Sequence, residues 1–231
     1  MIVVGLSGYA GAGKDAVADI LVSEYGFTKM GFADPLKRML RRLDPIIGHD
    51  LYAGCCSECS DIPEVEEVRF SDAAQYGFDD ESLKRSPWAE EVRDLWQKFG
   101  TEVFREEDED YWVMRAERAL LETTAERIVF TDVRFENEAE FIYDLRDGGV
   151  DNVMPGVLLQ ANSSLWRVAR PDHYPEDVHE SEQMVGLLGE EVTILNAGSL
   201  EDLEEPVALA LDMLLDRDYP GQRALEIEGW E

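Results

Sequence analysis

Ile2-Val3-Val4-Gly5-Leu6-Ser7 runs straight into Gly8-Tyr9-Ala10-Gly11-Ala12-Gly13-Lys14-Asp15, and then into a helical pattern that begins at Lys14. This is a buried strand, a glycine-rich turn and a helix start, with Gly8 and Gly13-Lys14 at P-loop spacing. Each residue type has a physical reason. Glycines let backbone N–H groups close around a polyphosphate, and the helix N-terminus adds positive dipole. Lys14 can reach the β- and γ-phosphates. Asp15 departs from the pattern, standing where Ser or Thr would put a hydroxyl on Mg²⁺. A flexible Gly/Ala turn would leave Lys14 unexplained.

Working outward, the first helix is expected over about 14–25, with Val17, Ala18, Ile20 and Leu21 inward and Gly26 as its stop. A short strand near 27–32 precedes a helix over 36–43. Residues 44–85 are acidic and turn-rich, and are expected to be an irregular insertion partly made of short helices. Ser86-Pro87 reads as an N-cap with proline at the first helical position, opening a helix that runs to Gly100. Further helices are expected over about 110–122 and 137–146. Strands are expected at 128–131, 165–169 and 192–195, and Ser199 should cap a last helix over about 200–215. Strands alternating with helices predict an α/β fold: a three-layer P-loop NTPase with a parallel sheet covered by helices on both faces. The 231 residues are read as a single P-loop domain over 1–231, with the insertion at 44–85 and a lid-like segment around 166–185. Nucleotide would then lie at the carboxyl ends of the strands.

The charge is extreme, with 51 acidic against 21 basic residues and a formal net of −30. Such a surface repels nucleic acid polymers and anionic membranes. A salt-rich host cytoplasm and the compositional bias of a GC-rich genome both account for it. No apolar stretch approaches a membrane span, and the N-terminus reads as the first strand rather than a signal peptide, so a cytoplasmic location is expected. Cys55, Cys56 and Cys59 form an odd cluster that argues against a disulfide framework. With His49 they could offer four zinc ligands, but adjacent cysteines make poor tetrahedral partners, and no structural metal is expected there.

Against this background Lys37, Arg38, Arg41 and Arg42 place four of the 21 basic residues within six positions. At i,i+4 spacing they form a basic ridge suited to face a phosphate. Asp132 ends the strand at 128–131, where a carboxylate would face bound phosphates and Mg²⁺, and Arg134 follows. Arg167 and Arg170 flank the end of another strand and could belong to a closing lid. No Ser-His-Asp arrangement is present. None is needed if the acceptor is a phosphate monoester, because its oxygen is already ionised near neutral pH and catalysis reduces to positioning and charge neutralisation.

Several segments, in order, resemble the deoxynucleoside monophosphate kinases of tailed bacteriophages. They are Leu6-Ser7-Gly8…Gly13-Lys14-Asp15, Phe32-Ala33-Asp34-Pro35-Leu36-Lys37, Leu95-Trp96-Gln97-Lys98-Phe99-Gly100-Thr101-Glu102 and Tyr111-Trp112-Val113. Asp132-Val133-Arg134-Phe135-x-Asn137-Glu138, His179-x-Ser181-Glu182 and Asn196-x-Gly198-Ser199-Leu200 complete the set. The resemblance implies transfer of the γ-phosphoryl of ATP to a dNMP with Mg²⁺, in the host cytoplasm if the source is viral, and leaves room for a homodimer. It assigns Gly8, Gly11, Ala12, Gly13, Lys14, Asp15, Arg170 and Asn196 to ATP, with Asp15 also toward the metal. It assigns Asp34, Lys37, Gln97, Thr101, Arg105, Trp112, Asp132, Arg134 and Asn137 to the acceptor, with Lys14, Asp132 and Arg134 in catalysis. Trp112 and Asp132 would sense sugar and base, which gives Asp132 two competing roles, base reader or metal ligand. The stretches 44–85 and 150–163 depart from the family core. The alternatives are a kinase for another small phosphorylated acceptor such as phosphomevalonate, a nucleotide-binding switch, and a relic P-loop. No Asn-Lys-x-Asp guanine-reading motif supports the switch, and the intact Gly13-Lys14 pair opposes the relic.

Overall fold

A computed structural model of the chain describes residues 1–52, 64–73, 86–154, 156–171 and 184–216. They fall into two compact units, one formed by 1–32 with 112–231 and the other by 33–111.

The first unit is built on five strands. These are β1 (Ile2–Ser7), β2 (Thr28–Met30), β5 (Arg127–Phe130), β6 (Asn162–Ala169) and β7 (Val192–Leu195). They lie in the order β2-β5-β1-β6-β7, and every pairing is parallel. The chain leaves β1 toward β2 on one side and later crosses from β5 to β6 on the other. The carboxyl end of β1 is therefore the place where the winding reverses, where open α/β sheets hold their ligands.

Period-two alternation sends the two sides of each strand into separate cores. Val4, Leu6, Val129, Trp166, Val168 and Ile194 pack under α1 (Lys14–Tyr25) and α7 (Leu200–Leu215), against Val17, Leu21, Leu203 and Val207. On the opposite face Gly5 meets Leu165, Val133 and Ile142, the last from α6 (Glu136–Asp147). These are the three layers expected. Helix α1 spans the residues expected of it and ends at Gly26, which is left-handed at φ +70°. Helix α7 starts after Ser199, whose hydroxyl takes the Asp202 N–H while the Asp202 carboxylate takes the Ser199 N–H at 2.7 Å. This capping box leaves the Asp202 carboxyl below its usual range, through the hydrogen bonds from Ser199.

The second unit holds α2 (Asp34–Leu43), β3 (Ile46–Tyr52), β4 (Glu64–Arg69), α3 (Phe70–Ala73) and α4 (Ala89–Gln97). A π-helical segment, Lys98–Val103, follows α4, and α5 (Tyr111–Glu122) begins at the boundary between the units. The expected irregular insertion is thus corrected in part. Strands β3 and β4 pair antiparallel, and α3 is only four residues long. The hairpin was hidden because the stretch is acidic and turn-rich in sequence, a composition depleted in strands. Ser86 does not cap a helix, since its buried Oγ has no partner among the described residues and Trp88 occupies the N-cap position. Gly100 does not end the helix either. It lies inside the π-helical segment, where a Cβ would come within 3.1 Å of Leu36 Cδ2 on α2.

Candidate functional site

The loop after β1 is held in its shape by two close approaches. Gly8, Gly11 and Gly13 have φ of +143°, +79° and +102°. A Cβ on Gly8 would run into the carbonyl oxygen of Val168 on β6, and one on Gly13 into the side-chain amide of Asn196. Only glycine satisfies both demands. The Ala12 N–H donates to Tyr9 O at 3.1 Å, and Val17 N–H to Gly13 O at 3.1 Å, which starts α1. No side chain caps that start. The dipole of α1 favours an anion at that start.

Lys14 is buried, and its Nζ donates to Gly8 O at 2.6 Å and to Tyr9 O at 3.0 Å. The charge is carried inside the loop rather than into solvent. Asp15 stands exposed in the first turn of α1. Asn196 follows β7. Its backbone N–H donates to Ala169 O at 2.7 Å, and its Nδ2 donates to Ala12 O at 2.9 Å. The residue that the resemblance assigned to ATP therefore braces the phosphate loop with its side chain. Arg170 is exposed just past β6. Residues 166–169 of the segment expected to be lid-like are the second half of β6, and 172–183 lie outside the described residues.

Asp132 sits beyond β5, next to β1. The Val133 N–H donates to Leu6 O at 3.1 Å, which ties this turn to the strand that carries the glycine loop. Asp132 Oδ1 accepts the Phe32 N–H at 2.8 Å, and the Phe32 ring stacks on Phe130 at 4.7 Å. One carboxylate oxygen is thus engaged in joining the ends of β2 and β5. Glu138, buried in the first turn of α6, accepts the N–H groups of Arg134 and Phe135 at 2.8 and 3.2 Å and fixes the turn that presents Arg134. Sequence reasoning gave Glu138 no task. The available signal was a glutamate at the third helical position, where a capping carboxylate reaches back. Asn137 is half-buried one residue before it, and Trp112 is only 4% exposed in the first turn of α5.

The remaining candidates belong to the second unit. Within it, Lys37 Nζ lies 5.7 Å from the centroid of the Trp96 ring, a cation–π geometry. Leu36 packs at Gly100, so α2 lies against the α4 and π-helical stretch that carries Gln97 and Thr101. Arg105 is half-buried just beyond, and Asp34 opens α2. Arg38, Arg41 and Arg42 of the basic ridge are exposed. The Cys55, Cys56 and Cys59 cluster and both His173 and His179 lie outside the described residues, while His49 is exposed on β3. Among the described residues no group of three or more His, Cys, Asp or Glu side chains could hold a metal ion, and no helix is long and apolar enough to cross a membrane.

Sheet order, winding reversal and loop together define a three-layer α/β protein of the P-loop type. No protein-family model matches the chain. It is similar, at 22% identity over 213 residues, to a protein named "Putative deoxynucleotide monophosphate kinase" from Acanthamoeba polyphaga mimivirus, and the match covers 92% of this chain and 97% of that one.

Proposed function

We propose that this chain is an ATP-dependent kinase of deoxynucleoside monophosphates. The observation that carries the reading is Lys14, buried within a loop whose glycines are held left-handed at the carboxyl end of β1. The named similarity and the ordered motifs support the acceptor class.

In this reading an oxygen of the acceptor's phosphate attacks the γ-phosphorus of ATP as the bond to the β-phosphate bridging oxygen breaks, giving dNDP and ADP. The loop N–H groups hold the phosphates in place, and Lys14 follows the charge that develops on the transferred group. No side chain has to take a proton. Mg²⁺, when bound, would neutralise charge between the β- and γ-oxygens. Such an ion is usually held by one or two carboxylates with substrate phosphates rather than by a protein cage, and Asp15, with Asp132 as the other candidate, would hold it here. Asp15 is exposed next to Lys14 in the chain, which supports this role. Lys37, Arg105, Gln97 and Thr101, with Asp34, Trp112, Arg134 and Asn137, are assigned to the acceptor, and Arg170 to the ATP phosphates.

The test is a panel of dNMPs and NMPs incubated with ATP and Mg²⁺ and scored for ADP formation. Turnover with at least one dNMP is expected. No ADP above the ATPase background with any monophosphate would refute the assignment.

A further inference from the structure

Arginine 167 stands in β6 at the register position opposite Ser7, the last residue of β1 before the Gly8 turn. Leu165 meets Gly5 on the α6 face, so alternation sends Arg167, two residues on, to that same face at the carboxyl edge of the sheet. Its guanidinium lies along the backbone of Gly186. A Cβ there would come within 3.0 Å of Nη1 and 3.2 Å of Cζ, so the turn leaves out a side chain where the guanidinium sits.

Among the described residues no carboxylate answers the charge. The Nε is buried without a hydrogen-bond partner, and among the described residues no ion pair engages the side chain. Glu190 is close enough to the same turn to have served, but its Oε1 accepts the Ser7 hydroxyl at 2.7 Å and the Gly186 N–H at 3.0 Å instead. A buried donor left unmatched costs stability. In a chain with 51 acidic residues, a guanidinium that meets no carboxylate among the described residues is held open against strong odds. Its register position opposite Ser7, the residue before the Gly8 turn, indicates what it is held open for.

We propose that Arg167 is a second cationic contact for the polyphosphate of the nucleotide, approaching the glycine loop from β6 while Lys14 approaches from α1. The proposal rests on the reading of this loop as the ATP site. A planar fork of donors suits phosphate oxygens, and lysine at the same place would offer the charge without the fork.

The experiment measures direct binding of ATP and of inorganic tripolyphosphate to wild type, Arg167→Gln and Arg167→Lys, together with KM for ATP and for the best monophosphate. A loss of at least tenfold in affinity for both ligands is expected in Arg167→Gln. Arg167→Lys should recover part of it, the monophosphate KM should stay unchanged, and the melting temperature should not fall. Affinity within twofold of wild type in Arg167→Gln overturns the proposal. So does a loss that tracks a lowered melting temperature, or one shared equally by the monophosphate KM. Tripolyphosphate binding that depends on Arg167 in a protein without transfer activity would overturn the kinase reading and leave the arginine contact standing. Normal transfer with an unaffected Arg167→Gln variant would do the reverse.

Discussion

The side-chain amide of Asn196 donates to the Ala12 carbonyl at 2.9 Å and occupies the space that a Cβ on Gly13 would need. With its backbone N–H on Ala169 O, this one residue joins the loop after β7 to the end of β6 and to the phosphate loop. Asn196→Ala should leave the Ala12 carbonyl unmatched and cost about 1–3 kcal/mol if water does not replace the amide. ATP KM should rise more than acceptor KM. Gly13→Ala should be worse, adding about 1–2 kcal/mol of left-handed strain to the collision with the amide. ATP binding unchanged in Asn196→Ala would show that the loop keeps its shape unbraced.

Lys14→Met should lower phosphoryl transfer by about 10²–10³-fold or more, the scale seen when one electrostatic contact to a transition state is removed. The fold should survive. The ammonium's two loop carbonyls, Gly8 O and Tyr9 O, lose a donor, which is worth about 1 kcal/mol. Circular dichroism with a single-turnover assay separates the two effects. Near-wild-type turnover in a folded variant would contradict the mechanism at its centre.

Much of this was legible in the sequence because local chemistry and global fold agree. Gly13-Lys14 and Gly26 bracket α1, and Ser199 with Asp202 opens α7, each by backbone groups that need those residues. What was not legible depended on partners distant in the chain. Gly100 reads as a helix stop until Leu36 is found against it. Asn196 reads as a loop polar residue until Ala12, 184 positions away, is seen to accept from it. The hairpin of β3 and β4 lies in a stretch whose acidic, turn-rich composition reads as irregular. Ser86-Pro87 carried a helix-start signal that the chain does not use.

The metal separates two roles for Asp132. Its Oδ1 accepts the Phe32 N–H, and an asparagine can keep that bond through its own carbonyl oxygen. Asp132→Asn should therefore retain the melting temperature while losing the charge. If Asp132 serves Mg²⁺, activity in this variant should need several-fold more Mg²⁺; if it reads the base, selectivity among dNMPs should change at constant Mg²⁺ requirement. Asp15→Ala should raise the Mg²⁺ requirement without altering selectivity. An unchanged Mg²⁺ titration would make Asp15 a helix-start residue only.

Tyr143 on α6 donates to Gly189 O at 2.6 Å and anchors the turn that carries Glu190. Burial first, and then the Glu191 and Glu190 carboxylates, push its hydroxyl up to about 12. A group raised in the folded state contributes stability in full below its unfolded value near 10 and loses it as pH rises toward 12. Tyr143→Phe should lower the melting temperature at neutral pH, and the gap between variant and wild type should close between pH 10 and 12. A constant gap across that range would mean the hydroxyl stays protonated or does not hold the turn.

Salt should stabilise this protein. Even if every one of the 21 basic residues were paired, 30 negative charges would remain uncompensated. The exposed pairs that salt would weaken, such as Lys29–Asp19 and Arg118–Glu122, are each worth about 0–1 kcal/mol. The repulsion that salt would relieve acts across the whole surface and also opposes ATP and dNMP, both anions. Screening length falls from about 10 Å at 0.1 M to about 3 Å at 1 M, shorter than most spacings between surface carboxylates. The buried contacts at Lys14 and Asn196 are screened much less. The melting temperature should therefore rise with KCl into the molar range, with activity retained there. A melting curve and an initial-rate series from about 0.1 to 2 M KCl decide the matter. A flat or falling melting temperature would tie the acidic surface to genome composition rather than to a salt-rich setting.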